Sequence, residues 1–165
     1  MKQLNKEAFQ SSKNKFLFGS SAAIITNLGI IAGLLSSHNA KGNIIGSMLV
    51  IAIADNISDT LGIHIYQEAE GLRASEVWLS SLTNFLSRFL VSGIFVLLVA
   101  ILPLKIAAIA CLTFSFVVIS LISYFIAIYK KRNPFISVFE HLIVAGAVIV
   151  ISKVLGDFIL SHFYR

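Results

Sequence analysis

The sequence predicts an all-α integral membrane protein: a bundle of five transmembrane helices, N-terminus cytoplasmic and C-terminus outside or lumenal. Three observations predict it. Hydrophobic residues make up 57% of the 165 positions and charged residues only 13%. A soluble domain carries about 25% charged residues, so this chain lacks the polar groups to cover a soluble surface of its own size. Five apolar runs follow one another, each long enough to cross a hydrocarbon core about 30 Å thick as a helix. Basic residues concentrate in alternate links between those runs.

Five crossings and short links use nearly all of residues 1–165, which makes one transmembrane domain. The first span covers about 16–36 and leads into the polar turn Ser37, His38, Asn39, Ala40, Lys41, Gly42. It begins too late and runs on too long for a cleavable signal peptide, so it reads as a retained span. The second covers about 43–66 and continues as the polar helical end Gln67, Glu68, Ala69, Glu70, which Gly71 breaks or caps. The third, about 77–102, stops at Pro103. The fourth, about 106–128, ends in Tyr129, Lys130, Lys131 and Arg132, and Asn133-Pro134 makes the next turn. The fifth covers about 139–160. Helices fit these lengths, since a barrel strand needs only about 10 residues in strict alternation.

Orientation follows from the positive-inside rule. Lys2, Lys6, Lys13 and Lys15 precede the first span, Arg73 lies in the second link, and Lys130, Lys131 and Arg132 lie in the fourth. The opposite side has Lys41, Lys105 and Arg165. The net charge of +5 therefore speaks for membrane orientation and not for nucleic acid. The lone Cys111 excludes an internal disulfide framework.

The second span is the unusual one. Its centre, Ala54 to His64, holds Asp55, Asn56, Ser58, Asp59, Thr60 and His64. An aspartate at the centre of a membrane helix costs about 2.5–3.5 kcal/mol on insertion scales, so such residues face a cavity or a partner. Asp55 and Asp59 are one helical turn apart, and Asn56, Thr60, His64 and Glu68 form an adjacent line. Carboxylate, amide, hydroxyl and imidazole groups on one broad face suit a hard or borderline divalent cation, or a proton relay. The competing reading is a structural network: Arg88 in the third span pairs with Asp55 or Asp59, and Asn84 shares in it.

Other polar residues have plainer readings. Lys153 and Asp157, four apart in the fifth span, form a neutralised local pair. Glu140 and His141 meet interfacial water near the start of that span. Asn27, midway along the first span, is either a helix–helix hydrogen bond or a ligand. Ala22, Thr26, Gly29 and Gly33 follow one face of the first span, and Gly29 to Gly33 has the spacing that lets backbones approach closely. This is a packing face, within the subunit or between subunits. No nucleotide loop, Cys-rich metal knuckle or nucleophile triad is present. His64 with Glu68 lacks a nucleophile, so the chain is not read as an enzyme.

The run from Phe18-Gly19-Ser20-Ser21-Ala22-Ala23-Ile24-Ile25 to Ile31-Ala32-Gly33-Leu34 resembles the first helix of the vacuolar iron transporter family. Ser58-Asp59-Thr60-Leu61-Gly62, followed by Glu68-Ala69-Glu70, resembles that family's second helix, in which a Ser-Met-x-Leu-Gly stretch runs into a Glu-containing polar end. Ile101-Leu102-Pro103-Leu104 is similar to the close of its third helix, and Gly146 and Gly156 fall where its fifth helix has glycines. The likeness spans nearly the full chain in the same order.

The resemblance implies a homodimeric, proton-coupled exporter of Fe²⁺ and related divalent ions from the cytoplasm, with the metal as substrate and no resident cofactor. It implies a path using an aspartate early in the first helix and a methionine in the second. Ala22 and Asp59 stand at those positions here, which shifts the site towards harder ions and oxygen ligands. The family's glutamate-rich cytoplasmic domain is absent, since that link is only about residues 71–76; Glu68, Glu70 and Glu76 remain to gather cations at the cytoplasmic mouth. The expectation is thus a multi-pass transporter of Fe²⁺- or Mn²⁺-like ions in a cell or organelle membrane. Asp55 and Asp59 are its principal ligands, and Asn56, His64, Glu68 and Asn27 its path groups. The alternatives are a non-transporting protein with a structural Asp/Arg network, or a carrier of another small ion.

Overall fold

A computed structural model describes the backbone of residues 2–163 and the side chains of residues 15–163. The side chains of Lys2, Lys6 and Lys13, and all of Arg165, lie outside the described residues. Among these the chain is helical throughout apart from short links, with α1 (Lys2–Leu34), α2 (Ala40–Val50), α3 (Asn56–Ala69), α4 (Ala74–Ile101), α5 (Leu104–Tyr129) and α6 (Pro134–Phe163). A π-helical turn, Ile51–Asp55, joins α2 and α3 into one rod, Ala40–Ala69. Five segments are long and apolar enough to cross a membrane: Lys15–Leu34, Ala40–Ala69, Ala74–Ile101, Leu104–Tyr129 and Pro134–Phe163. They match the five expected runs, with ends displaced by a few residues because polar helical ends such as Gln67–Ala69 continue the backbone hydrogen bonds past the apolar stretch.

The links obey local chemistry. Gly71, at φ +74°, closes α3 in a Schellman turn: its N–H donates to the Glu68 carbonyl and that of Leu72 to the Gln67 carbonyl. The capping role expected of Gly71 is present. The same geometry ends α5, where the N–H of Lys131 donates to Ile128 and that of Arg132 to Ala127, but the left-handed position is filled by Lys131 at φ +53°. A side chain there costs about 1 kcal/mol relative to glycine. Lys131→Gly is therefore expected to stabilise the protein by about that amount, read as a higher midpoint in denaturant unfolding. Pro134 opens α6, and Asn133 Oδ1 accepts the Phe135 N–H at 3.0 Å.

Helix α1 is central, packed against α2, α4, α5 and α6. The core contains Ile24, Leu28, Ile31, Ile44, Met48, Phe95, Val99, Ala107, Cys111 and Ile119. Helix α3 leans chiefly on α4, apart from its own π turn. The small residues of α1 serve packing within the chain: a Cβ on Gly33 would meet Ser152 of α6, and one on Gly29 would meet Ser152 and Val148. Gly156 faces the Gly33 carbonyl so closely that an added Cβ would overlap it. Ala22 and Thr26 are partly buried on α1. At the far end, Lys41 Nζ donates to the Leu102 carbonyl at 3.2 Å, tying the first link to the third.

Candidate functional site: an arginine shared by two aspartates

The chemistry of the rod centres on its π turn. There the Asn56 N–H reaches back five residues to the Ile51 carbonyl. One extra residue in the turn rotates everything that follows, and π turns of this kind recur at functional sites. Adjacent residues then both meet α4: Asp55 reaches Arg88, and Asn56 Nδ2 donates to the Phe85 carbonyl at 3.0 Å.

Arg88 is the hub. Its Nη2 donates to Asp55 Oδ2 at 2.5 Å and its Nη1 to Asp59 Oδ2 at 3.0 Å. Both groups come from residues near the middle of their helices. The arginine side chain is 8% exposed, whereas those of Asp55 and Asp59 are 50% and 35% exposed. The cation is thus held inside the bundle while its two partners stay reachable from the outer face of α3. Two carboxylates against one guanidinium leave the cluster one negative charge in excess. Asn84 Nδ2 extends the network with longer contacts to Asp59 Oδ2 at 3.4 Å and Thr60 Oγ1 at 3.3 Å.

Below the cluster the α3–α4 contact continues as a polar ladder. His64 Nδ1 shares a 3.2 Å hydrogen bond with the Ser81 hydroxyl, its direction set by the imidazole tautomer. The ring meets Trp78 edge-on, with centroids 4.7 Å apart. His64 Nε2 lies 3.8 Å from Glu68 Oε1, and the Ser80 hydroxyl donates to Gln67 Oε1. Above the cluster, Asn27 of α1 donates to Ser92 Oγ at 3.0 Å and to the Ala23 carbonyl at 2.8 Å, a helix–helix tie.

The structure brings Asp55, Asp59, Asn56, Thr60 and His64 onto the α4-facing side, as their spacing implies, and Arg88 and Asn84, expected in the structural alternative, partner Asp55, Asp59 and Thr60. Glu68 and Glu70 are exposed, Glu76 is partly buried, and none of the three joins the cluster. Among the described residues, no group of three or more His, Cys, Asp or Glu side chains is placed to hold a metal ion. In this arrangement Arg88 occupies both carboxylates. Lys153 and Asp157 form their local pair at 2.9 Å, with Ser36 as a further partner of Lys153 at 3.3 Å. Glu140 and His141 are exposed near the start of α6.

Sequence reasoning names Arg88 and Asn84 but misses the serines that share their buried face of α4. Ser80, Ser81, Asn84, Ser87, Arg88 and Ser92 all turn inward. Their recurrence every three or four residues was the available signal.

Comparisons with known protein families, with characterised proteins and with solved structures give no match to this chain. The molecule is an all-helical chain with five helices of membrane-crossing length and an Asp–Arg–Asp cluster between two of them.

Proposed function

We propose that the chain is a multi-pass membrane carrier that moves divalent cations out of the cytoplasm, with protons as the coupling ion. The observation that carries this reading is the pair of half-exposed carboxylates, Asp55 and Asp59, sharing one buried guanidinium near the middle of a membrane-length rod. Unneutralised charge at that depth is expensive and is characteristic of ion paths. Arg88 acts as a stand-in cation. An arriving dication brings two charges to a cluster that has one to spare, and the carboxylates turn from Arg88 to the ion. Proton uptake by either aspartate reverses the exchange.

Exposed apolar side chains on every long helix, among them Leu90, Leu97 and Ile101 on α4 and Phe139 and Val150 on α6, support a lipid surround. Arg73, Lys130, Lys131 and Arg132 at the N-terminal end of the bundle support a cytoplasmic N-terminus and an outer or lumenal C-terminus. The resemblance to the vacuolar iron transporter family supports the substrate class and a homodimer. Asp59, at the place of that family's methionine, favours oxygen-preferring ions such as Mn²⁺ alongside Fe²⁺. The test is uptake of Fe²⁺, Mn²⁺, Co²⁺ and Zn²⁺ into proteoliposomes under an imposed pH gradient. Gradient-dependent uptake of at least one ion is expected; none by well-folded protein counts against the reading.

A second reading has its own observation. Arg88 takes both carboxylates, and Asn56, Thr60, His64 and Gln67 fasten α3 to α4, so the cluster serves as a structural lock in a non-transporting membrane protein. That reading predicts folded protein with no flux of any ion, and loss of assembly rather than of transport when the charges are removed.

A further inference from the structure

We infer that the seam where α1 and α3 meet α4 is a one-ended water path, hydrated from the N-terminal end of α4 up to the Asn27–Ser92 contact and sealed beyond it by Phe95. The inference rests on the membrane-spanning reading of the chain and not on the identity of any cargo.

Four buried oxygens along this seam have no hydrogen-bond partner: Asn27 Oδ1, Asn56 Oδ1, Asn84 Oδ1 and Ser20 Oγ. The three asparagines are 0–1% exposed and Ser20 is 4% exposed. Turning the amides over does not help. Asn27 Nδ2 is committed to the Ala23 carbonyl and Ser92 Oγ, Asn56 Nδ2 to the Phe85 carbonyl, and Asn84 Nδ2 to Asp59 and Thr60. A flipped amide would set oxygen against oxygen at each place. The three amide oxygens lack donors and the Ser20 hydroxyl lacks any partner, and buried polar atoms left so are costly.

These oxygens are strung along one face of α4. Asn84 belongs to that face, Asn56 binds the carbonyl of its neighbour Phe85, and Asn27 binds Ser92. Ser20 follows Gly19, whose Cα approaches α4 so closely that an added Cβ would overlap Ser87 Oγ and crowd Asn84. From Asn84 to Ser92 the row spans about 12 Å of helix. It continues towards the start of α4 through Ser81 and Ser80, where His64 and Gln67 face it. In the other direction the inward face becomes Phe95 and Val99, with Phe95 edge-on to Phe114 at 5.7 Å. Polar lining, with the buried Val77 before it and Val91 within it, thus ends at one aromatic contact. Water is the ligand that fits: each molecule can donate to the three amide oxygens and can both donate to and accept from the Ser20 hydroxyl, and it brings no charge next to Arg88.

The test uses Cys111→Ala protein in sealed proteoliposomes and a charged, membrane-impermeant methanethiosulfonate. Single cysteines are placed at Ser81, Ser87, Ser92 and Val99, with Leu72→Cys marking the loop before α4. Reagent added on the Leu72 side is expected to modify Ser81→Cys, Ser87→Cys and Ser92→Cys at least ~10-fold faster than Val99→Cys. Slow labelling of all three while Leu72→Cys reacts would make the seam dry and overturn the inference. Equal labelling of Val99→Cys would remove the seal and overturn it as well. In unaltered protein, water-to-protein polarisation transfer in solid-state NMR should reach the side-chain amides of Asn27, Asn56 and Asn84 but not the Phe95 ring. Absence of transfer to the amides would likewise overturn it. A chain that carries no metal at all still gives one of these results, so failure of the carrier reading is distinguishable.

Discussion

Arg88→Ala is expected to destabilise the folded chain by about 3 kcal/mol or more, because it strands two carboxylates whose only cationic partner among the described residues is this guanidinium. The substitution also removes a buried aliphatic stem. Helix α3 has little else to hold it, since α4 is its chief neighbouring helix. The loss should therefore appear as detachment of α3: a lower midpoint in denaturant unfolding and early protease cleavage near residues 70–73. The charge origin of the effect has its own check. Adding Asp55→Asn and Asp59→Asn to Arg88→Ala should recover more than half of the lost stability, because the unpaired charges are gone. A single Arg88→Ala protein as stable as the original would mean that the ion pairs contribute nothing to assembly.

The second large effect belongs to the α1–α6 crossing. Gly156→Ala is expected to cost about 2–3 kcal/mol, since the new methyl overlaps the Gly33 carbonyl and backbone cannot move aside as a side-chain tip can. Either α6 is pushed away from α1 or the crossing slides. Gly146→Ala, on the same helix but with nothing within 4 Å of the added Cβ, supplies the control. It should be neutral or stabilising by up to about 1 kcal/mol, because alanine is the better helix former. Equal unfolding midpoints for the two variants would show that close backbone approach does not hold α6 in place.

Much of this architecture is legible in the sequence, for physical reasons that differ by element. Membrane-length helices announce themselves through uninterrupted apolar runs, and Gly71, Pro103 and Asn133-Pro134 mark the links through backbone restrictions independent of tertiary context. Arg88 was recognisable as a partner of Asp55 and Asp59 because a charge in an apolar run needs a counter-charge. The Lys153–Asp157 pair follows from helical spacing alone. The π turn at Ile51–Asp55 was not legible. Its residues are Ile, Ala and Asp in an unbroken helical pattern, and the extra residue is absorbed where Asp55 and Asn56 must both reach α4. The partner of Gly29 and Gly33 was also hidden, because the small-residue spacing shows that a backbone comes close but not which one. The polar seam of α4 escaped because serine in apolar helices commonly bonds its own preceding turn, as Ser115 and Ser123 do with the Cys111 and Ile119 carbonyls. Only the arrangement of α1 and α3 around α4 separates seam serines such as Ser92 from those.

The candidate site divides in the same way. The sequence groups Asp55, Asp59, Asn56 and His64 on one side of a helix, and the fold keeps them there. It does not reveal that the guanidinium binds both carboxylates at once, which turns a bare ligand set into an occupied one. Under the proposed carrier reading, a cation path built on this cluster would work by exchange with Arg88, and its affinity would depend on how readily Arg88 lets go.

The most direct test is cation uptake by protein carrying Asp55→Asn, Asp59→Asn and Arg88→Gln together. The triple variant keeps hydrogen-bonding side chains at all three places and leaves no unpaired charge, so it should fold with an unfolding midpoint close to that of the original chain. The account predicts uptake of at least one divalent ion by the original chain in proteoliposomes under a pH gradient, and none by this folded variant. Uptake at the original rate would contradict it, because cations would then cross without the cluster.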